Sequence, residues 1–333
     1  MTLINKNLKI NFPFFFLMKT ALIIFLSIIL SSKTFRNVMR KINHINKISE
    51  YFACFCAKAR KENKYARELV LYYSKIGVDK FIFGDNNYIG VEKLADVLQD
   101  FVDDGLVDIY EIFGSDIGQA EFTQNMYKKY NKKCNWFLFF DFDEYLEEHF
   151  EDNKPIRLQD FLKNNIFDKC ESVLYNCLMY TDNDLIHYDN RTLLERFTTP
   201  NYGNNANHYV KSIVRGGLNK IIFYPKKSNH VPDPNVISCD STGRILTRYN
   251  PFSIRPPVFN YRFIKHFSTK TAEEYVEKTK RGDNGNLSYM IEDRIKLFFT
   301  HNKFSKEKLK LFEEKFNRSF SRIIGGLEED NIE

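Results

Sequence analysis

No Cys-x-x-Cys pair occurs in this 333-residue chain, and its six cysteines, at 54, 56, 134, 170, 177 and 239, fall at no zinc-finger spacing. That excludes a structural zinc module and a thioredoxin-like redox motif. Spacing alone leaves their state open between buried free thiols and one or two disulfides, the latter if the chain folds in an oxidising compartment. Basic residues form no long block, only short clusters such as Lys128-Lys129 and Lys132-Lys133. The formal charge of +6 permits an anionic ligand without demanding nucleic acid. No RNA-binding signature and no internal repeat is found, so nucleic acid is not expected as a partner.

An unbroken apolar run of about 20 residues, the length of a spanning helix, is also missing. The longest candidate is Ala21 to Leu30, ALIIFLSIIL; Phe12 to Met18 extends it upstream and Lys19 interrupts it. Three readings stand. A single-pass signal anchor is favoured, because no small-x-small cleavage pattern follows. A cleaved signal peptide starting at Met18 and ending at Ser31-Ser32 is the second, and a soluble cytosolic protein the third. Lysines and arginines on both sides leave orientation unset. The expected organisation is a membrane segment over 1–32, a polar stem over 33–49 and a globular domain over 50–333, in a secretory membrane or at the cell surface.

Aromatics are abundant instead, with 32 Phe and 19 Tyr, which is read first as a large core. From Tyr51 the pattern alternates. Strands are expected at 51–59, 79–84, 106–113 and 136–140, and helices at 62–76, 91–102 and 116–130. Gly77 reads as a helix C-cap. Alternation of this kind predicts an α/β fold with a mostly parallel sheet and flanking helices, with ligands bound beyond the carboxyl ends of the strands. Further on, a strand is expected at 173–179, loops over 182–207, two short strands within 211–224, loops over 225–257, and helices at 271–280 and 305–322.

The strand Trp136 to Phe140 runs straight into Asp141-Phe142-Asp143-Glu144. In an extended segment residues i and i+2 share a side, so Asp141 and Asp143 would converge on one object. Two carboxylates suit a hard divalent cation, Mg²⁺ or Mn²⁺, that also touches a substrate diphosphate. The bland alternative is a solvated turn. Repulsion between the two carboxylates predicts that Asp143→Asn leaves stability unchanged or higher.

WFLFFDFDEYL, 136–146, resembles the Asp-x-Asp segment of glycosyltransferase family 92 and of similar family-2-like enzymes. Arg60 to Tyr65, Gly77 to Asn87, Leu194 to Phe197, Val210 to Val214 and His266 to Gly282 resemble further family segments in the same order. The likeness covers about residues 51 to 285. It implies a GT-A-like, Rossmann-like fold and a metal-dependent inverting transfer of a sugar from a nucleotide-sugar donor to a glycan acceptor. UDP-galactose is the first donor to consider. Arg60-Lys61 departs from the family's Lys-Asn before Glu62.

On this reading Asp141, Asp143 and His266 hold the metal. Lys270, Lys278 and Arg281 would contact phosphates, although Lys278 has an ordinary i,i+4 partner in Glu274. Glu62, Asp85, Asn86 and Gln119 are candidates for the nucleotide or sugar, each with a local alternative: a helix first turn, a turn aspartate with its neighbour, a surface glutamine. Asp182, Asp184 and Glu195 are candidates for the base that inversion requires, and His230 for substrate contact. Two other functions compete. One is a membrane-tethered carbohydrate-binding protein without turnover, which the intact aspartate pair argues against. The other is a nucleotidyltransferase, which normally carries a glycine-rich phosphate loop not evident here.

Overall fold

The computed structural model describes residues 49–113, 117–151, 154–220, 222–223, 232–247, 253–282 and 290–320. The apolar segment and stem up to residue 48, and His230, lie outside them. Among the described residues no helix is long and apolar enough to cross a membrane.

The first half follows the alternation. Strand β1 (Tyr51–Ala59), helix α1 (Asn63–Ile76), β2 (Lys80–Asp85), α2 (Leu94–Asp103), β3 (Val107–Glu111), α3 (Gln119–Tyr130) and β4 (Cys134–Phe139) succeed one another. β1 pairs parallel with β2 on one side and β4 on the other. Being central, it is covered on both faces, and its side chains divide with period two. Ala53, Phe55, Ala57 and Ala59 join the cluster under α1 and α2, while Cys54 and Cys56 join that under α3. Phe55 lies 4.6 Å from the ring of Tyr73 on α1. Each such fully buried aromatic contributes roughly 1.5–3 kcal/mol through apolar surface removed from water. α1 stops at Gly77, whose φ of 106° is a left-handed cap and whose N–H bonds back to Tyr73 O at 3.1 Å.

The second half corrects the expectation of a mostly parallel sheet. It comprises β5 (Glu144–Leu146), the hairpin β6 (His149–Glu151) and β7 (Lys154–Ile156), α4 (Leu158–Leu162), β8 (Ser172–Met179), α5 (Leu193–Arg196), β9 (Val210–Arg215), β10 (Ser238–Asp240), β11 (Ile264–His266), α6 (Ala272–Arg281), α7 (Met290–His301) and α8 (Lys306–Phe316). The main sheet runs β3-β2-β1-β4-β9-β8-β11-β5, with β10 also on β8. β9 is antiparallel to both β4 and β8, and β5 is antiparallel to β11. The physical reason is the connection: between β8 and β9 there are loops and short helical turns, not the long crossover helix that a parallel pair needs. Where a pair of strands is expected within 211–224, the described residues hold one, and the expected 305–322 helix ends at Asn317, whose φ is 48°.

Both cysteine states occur together. Cys54–Cys134 ties β1 to β4, Cys170–Cys239 ties the approach to β8 to β10, and Cys56 and Cys177 are buried free thiols.

Candidate functional site

β4 delivers the aspartate pair, but the chain does not stay extended there. Residues 142 and 143 form a turn, closed by Glu144 N–H to Asp141 O at 3.2 Å. Phe142 pins the turn by burying its ring 4.9 Å from that of Phe83. The two carboxylates therefore meet different partners, which corrects the extended-strand argument. Asp141 accepts from Gln119 Nε2, at the first residue of α3, and from Lys211 Nζ, both at 2.7 Å. Asp143 accepts from Lys270 Nζ at 3.0 Å and Lys278 Nζ at 3.1 Å on one oxygen, and faces His266 Nε2 with the other at 3.7 Å.

The opposite wall comes from β11. Glu144 and His266 are direct partners in the antiparallel β5–β11 pair, so they share a sheet face. His266 also pairs with Met179 of β8, which puts Cys177, two residues back, on that face too. Lys211 joins from β9, opposite Tyr175. A polar row thus crosses four neighbouring strands on a face that is otherwise core.

Electrostatics in this row follow from burial. Burial works against the charge of Asp143, yet Lys270 and Lys278 outweigh it and hold the carboxyl well below its usual range. Burial pushes Glu144 up to about 8, opposed by Lys211 at 2.7 Å. Burial also holds His266 down at about 3 against the pull of Asp143, so its imidazole is neutral. Lys211 is raised despite burial because Asp141 and Glu144 favour its charge.

A divalent cation fits the donor set. His266 is neutral, its Nδ1 is buried without a hydrogen-bond partner, and its Nε2 stands 3.6 Å from Glu144 Oε1 and 3.7 Å from Asp143 Oδ1. Two ligands about 2.1 Å from one ion are about 3.0–3.4 Å apart in octahedral or tetrahedral arrays. Glu144, Cys177 and His266 place one ligand atom each within 4.8 Å of the others.

The other candidates divide. Lys278 points to Asp143 and Ser268 O, not to Glu274, which instead binds Arg196, Tyr65 and Lys64. Arg281 bridges Glu62, at 2.5 Å, and the carbonyl of Arg60, closing α6 onto the start of α1. Asp85 is buried, with its oxygens accepting from the backbone N–H of Asn87 and Leu94, both at 2.8 Å; it shapes the loop after β2. Asn86 lies in that loop, its N–H on Ala59 O. Asp182 and Asp184 both pair with Lys308, at 2.7 and 3.0 Å. Glu195 closes a capping box with Thr192 at the start of α5. The three base candidates therefore stand in structural contacts, and none of them pairs with Asp143 or its two lysines. Asp143→Asn would strand two lysines, which reverses the stability expectation for that substitution.

Sequence reasoning missed Glu144, Cys177 and Lys211 as members of the site. Glu144 was legible only as a neighbour of the aspartates, Cys177 reads as one more apolar strand residue, and Lys211 reads as solvent-facing until its strand is known to be covered.

No protein-family model matches the chain. Over 112 residues it is 30% identical to a glycosyltransferase family 92 protein of Oryza sativa subsp. japonica, a stretch covering 33% of this chain and 18% of that relative. The chain thus matches about a fifth of the relative's length. Among solved structures, S. aureus TarS 1-349 aligns at 11% identity over 85% of this chain and 75% of its own, with a TM-score of 0.34. A structure of S. aureus TarS aligns at 12% over 80% and 49%, with a TM-score of 0.35. At those scores neither carries weight for the fold. The chain is glycosyltransferase-like over a third of its length, and it holds a cluster able to bind a metal ion.

Proposed function

We propose that residues 50–333 form a metal-dependent inverting glycosyltransferase of GT-A type, moving a hexose onto a glycan acceptor, with UDP-galactose the first donor to test. The observation that supports it is convergence: Asp143 after β4, His266 on β11, and Lys270 and Lys278 around α6 meet at one point from segments over 120 residues apart. The likeness to a family 92 protein points the same way.

In this reading Lys270 and Lys278 turn from Asp143 to the donor phosphates, whose charge they match. Lys270 is held for this at a φ of 56°, a left-handed backbone position that a lysine rarely adopts. Gln119 fixes one oxygen of Asp141 and Lys211 the other, so that carboxylate presents a set orientation to the donor. Arg281 and Glu62 brace the phosphate-binding helix against α1. A divalent cation held by Asp143 and His266, beside Asp141, would neutralise the diphosphate as it leaves. The segment up to residue 32 would tether the enzyme to a secretory membrane through a stem over 33–49; carbonate extraction tests that.

The deciding experiment incubates the full chain with a panel of nucleotide sugars, with Mn²⁺ or Mg²⁺ and with chelator. Metal-dependent hydrolysis of one donor, and its transfer to a glycan, is expected. Donor binding without turnover would favour a carbohydrate-binding role, and consumption of nucleoside triphosphates a nucleotidyltransferase.

A further inference from the structure

We propose that Cys177, Glu144 and His266 form a thiol-containing cation position that takes a borderline-soft divalent ion, of the zinc and cobalt class, in preference to magnesium. The placement is fixed by strand register. β8, β11 and β5 are neighbours, Glu144 opposes His266, and Cys177 lies two residues along β8 from the partner of His266. One ligand atom from each residue falls within 4.8 Å of the other two, so an ion needs only small side-chain adjustments to touch all three.

Each ligand is available. Four of the six cysteines are in disulfides, while Cys177 is a buried free thiol. His266 Nδ1 is buried without a hydrogen-bond partner, and Glu144 Oε1 is buried beside Lys211. The ordinary reading of Cys177 is a small core residue, since it belongs to the main apolar cluster. What sets it apart from Cys56, the other free thiol, is the carboxylate and imidazole within reach.

The chemistry follows from ligand softness. Carboxylate oxygens alone would not discriminate against magnesium. A thiolate does, and with imidazole it favours zinc, cobalt or cadmium. On binding, the Cys177 thiol gives its proton to the buffer, and the thiolate and Glu144 offset the charge of the ion. The proposal rests on the metal-dependent reading only through His266, which both positions use.

The test titrates Co²⁺ into the full chain with UDP present, and follows absorption and calorimetry together. The wild type is expected to develop a near-ultraviolet thiolate-to-cobalt charge-transfer band. Cys177→Ser should lose the band and at least about tenfold in Co²⁺ affinity, since even changing a group that only orients a metal ligand commonly costs that much, while Cys56→Ser keeps both. Cys177→Ala serves as a second variant, and a cooperative melt establishes that each is folded. Saturable Co²⁺ binding without the band, or a band that survives in Cys177→Ser, overturns the thiol position and leaves the metal-dependent reading standing. Absence of any Co²⁺ binding with UDP present overturns both.

Discussion

Phe267 donates its backbone N–H to the carbonyl of Asp143 at 2.9 Å, so the residue after His266 is stitched to the second aspartate of the turn. That bond joins the two halves of the candidate site by main chain, and side-chain substitutions there act on a frame that is already held.

Asp143→Asn and His266→Ala should therefore separate. Removing the Asp143 charge leaves Lys270 without its carboxylate and Lys278 with the Ser268 carbonyl in place of one, around a buried position, a loss of about 3 kcal/mol in the ligand-free chain. His266 makes no hydrogen bond through Nδ1, so its replacement should leave the melting temperature near wild type. Both should lower metal-dependent turnover, Asp143→Asn by orders of magnitude and His266→Ala by less. Thermal melts beside donor-hydrolysis rates check this. An unaltered turnover in Asp143→Asn would mean that the reaction centre lies elsewhere.

Metal and nucleotide should bind synergistically. Asp141, Asp143 and Glu144 supply at most three negative charges, against the three ammonium groups of Lys211, Lys270 and Lys278. A cation alone enters a site already neutralised, and UDP alone meets the carboxylates. Together they cancel. Calorimetry should find UDP binding weakened at least about tenfold by chelator, which corresponds to roughly 1.4 kcal/mol. Equal affinity with and without metal contradicts the scheme.

Position 61 offers a gain in stability. Lys61 holds a φ of 56°, where asparagine is favoured over lysine, and its N–H donates to Asn87 Oδ1 at 2.6 Å. Lys61→Asn keeps that backbone bond and relieves the left-handed strain. It should stabilise by about 0.5–1 kcal/mol. Denaturant unfolding measures it; a lower midpoint would show that the lysine side chain has a role of its own.

Glu274 should set part of the acid limit. Burial opposes its charge, but Arg196 and Tyr65 outweigh burial and hold it at about 2, down from 4.5. A lowered carboxyl contributes stability that is complete above the unfolded value and disappears as pH falls through the folded one. The window is thus pH 4.5 to 2, with a contribution on the order of 3 kcal/mol. Glu274→Gln should be less stable at pH 7 and should flatten the decline across that window. A parallel decline in the variant would place the acid sensitivity in other carboxylates.

The first four strands and three helices were legible because helices such as Glu62 to Ile76 are long enough to show their period, and strands such as Trp136 to Phe140 are short unbroken apolar runs set between them. β5 and β11 were not. Each is three residues long, too short for a pattern, and each exists because the other pairs with it. Lys278 shows a second limit. Its i,i+4 spacing to Glu274 suggested a local pair, but Arg196, 78 residues before Glu274, takes that carboxylate and frees the lysine for Asp143. Distant partners leave no trace in local spacing. Asp141, Asp143, His266, Lys270 and Gln119 were named from the sequence and do gather. Asp182, Asp184 and Glu195 were named from a loop whose acids are engaged in holding its shape.

The late position of β11 also governs when the protein becomes competent during synthesis. β5 is complete at Leu146, yet its sheet partner begins at Ile264, 118 residues later. A growing chain can close β1 to β4 and even dock β9 while the edge of β8 and the whole of β5 wait unpaired. Until Lys270 and Lys278 leave the ribosome, Asp143 lacks its counter-charges, and Lys211 answers only Asp141 and Glu144. A chain cut short before residue 266 would carry the recognisable Asp-x-Asp motif with Asp143 unanswered, so competence waits on the segment from His266 to Lys278.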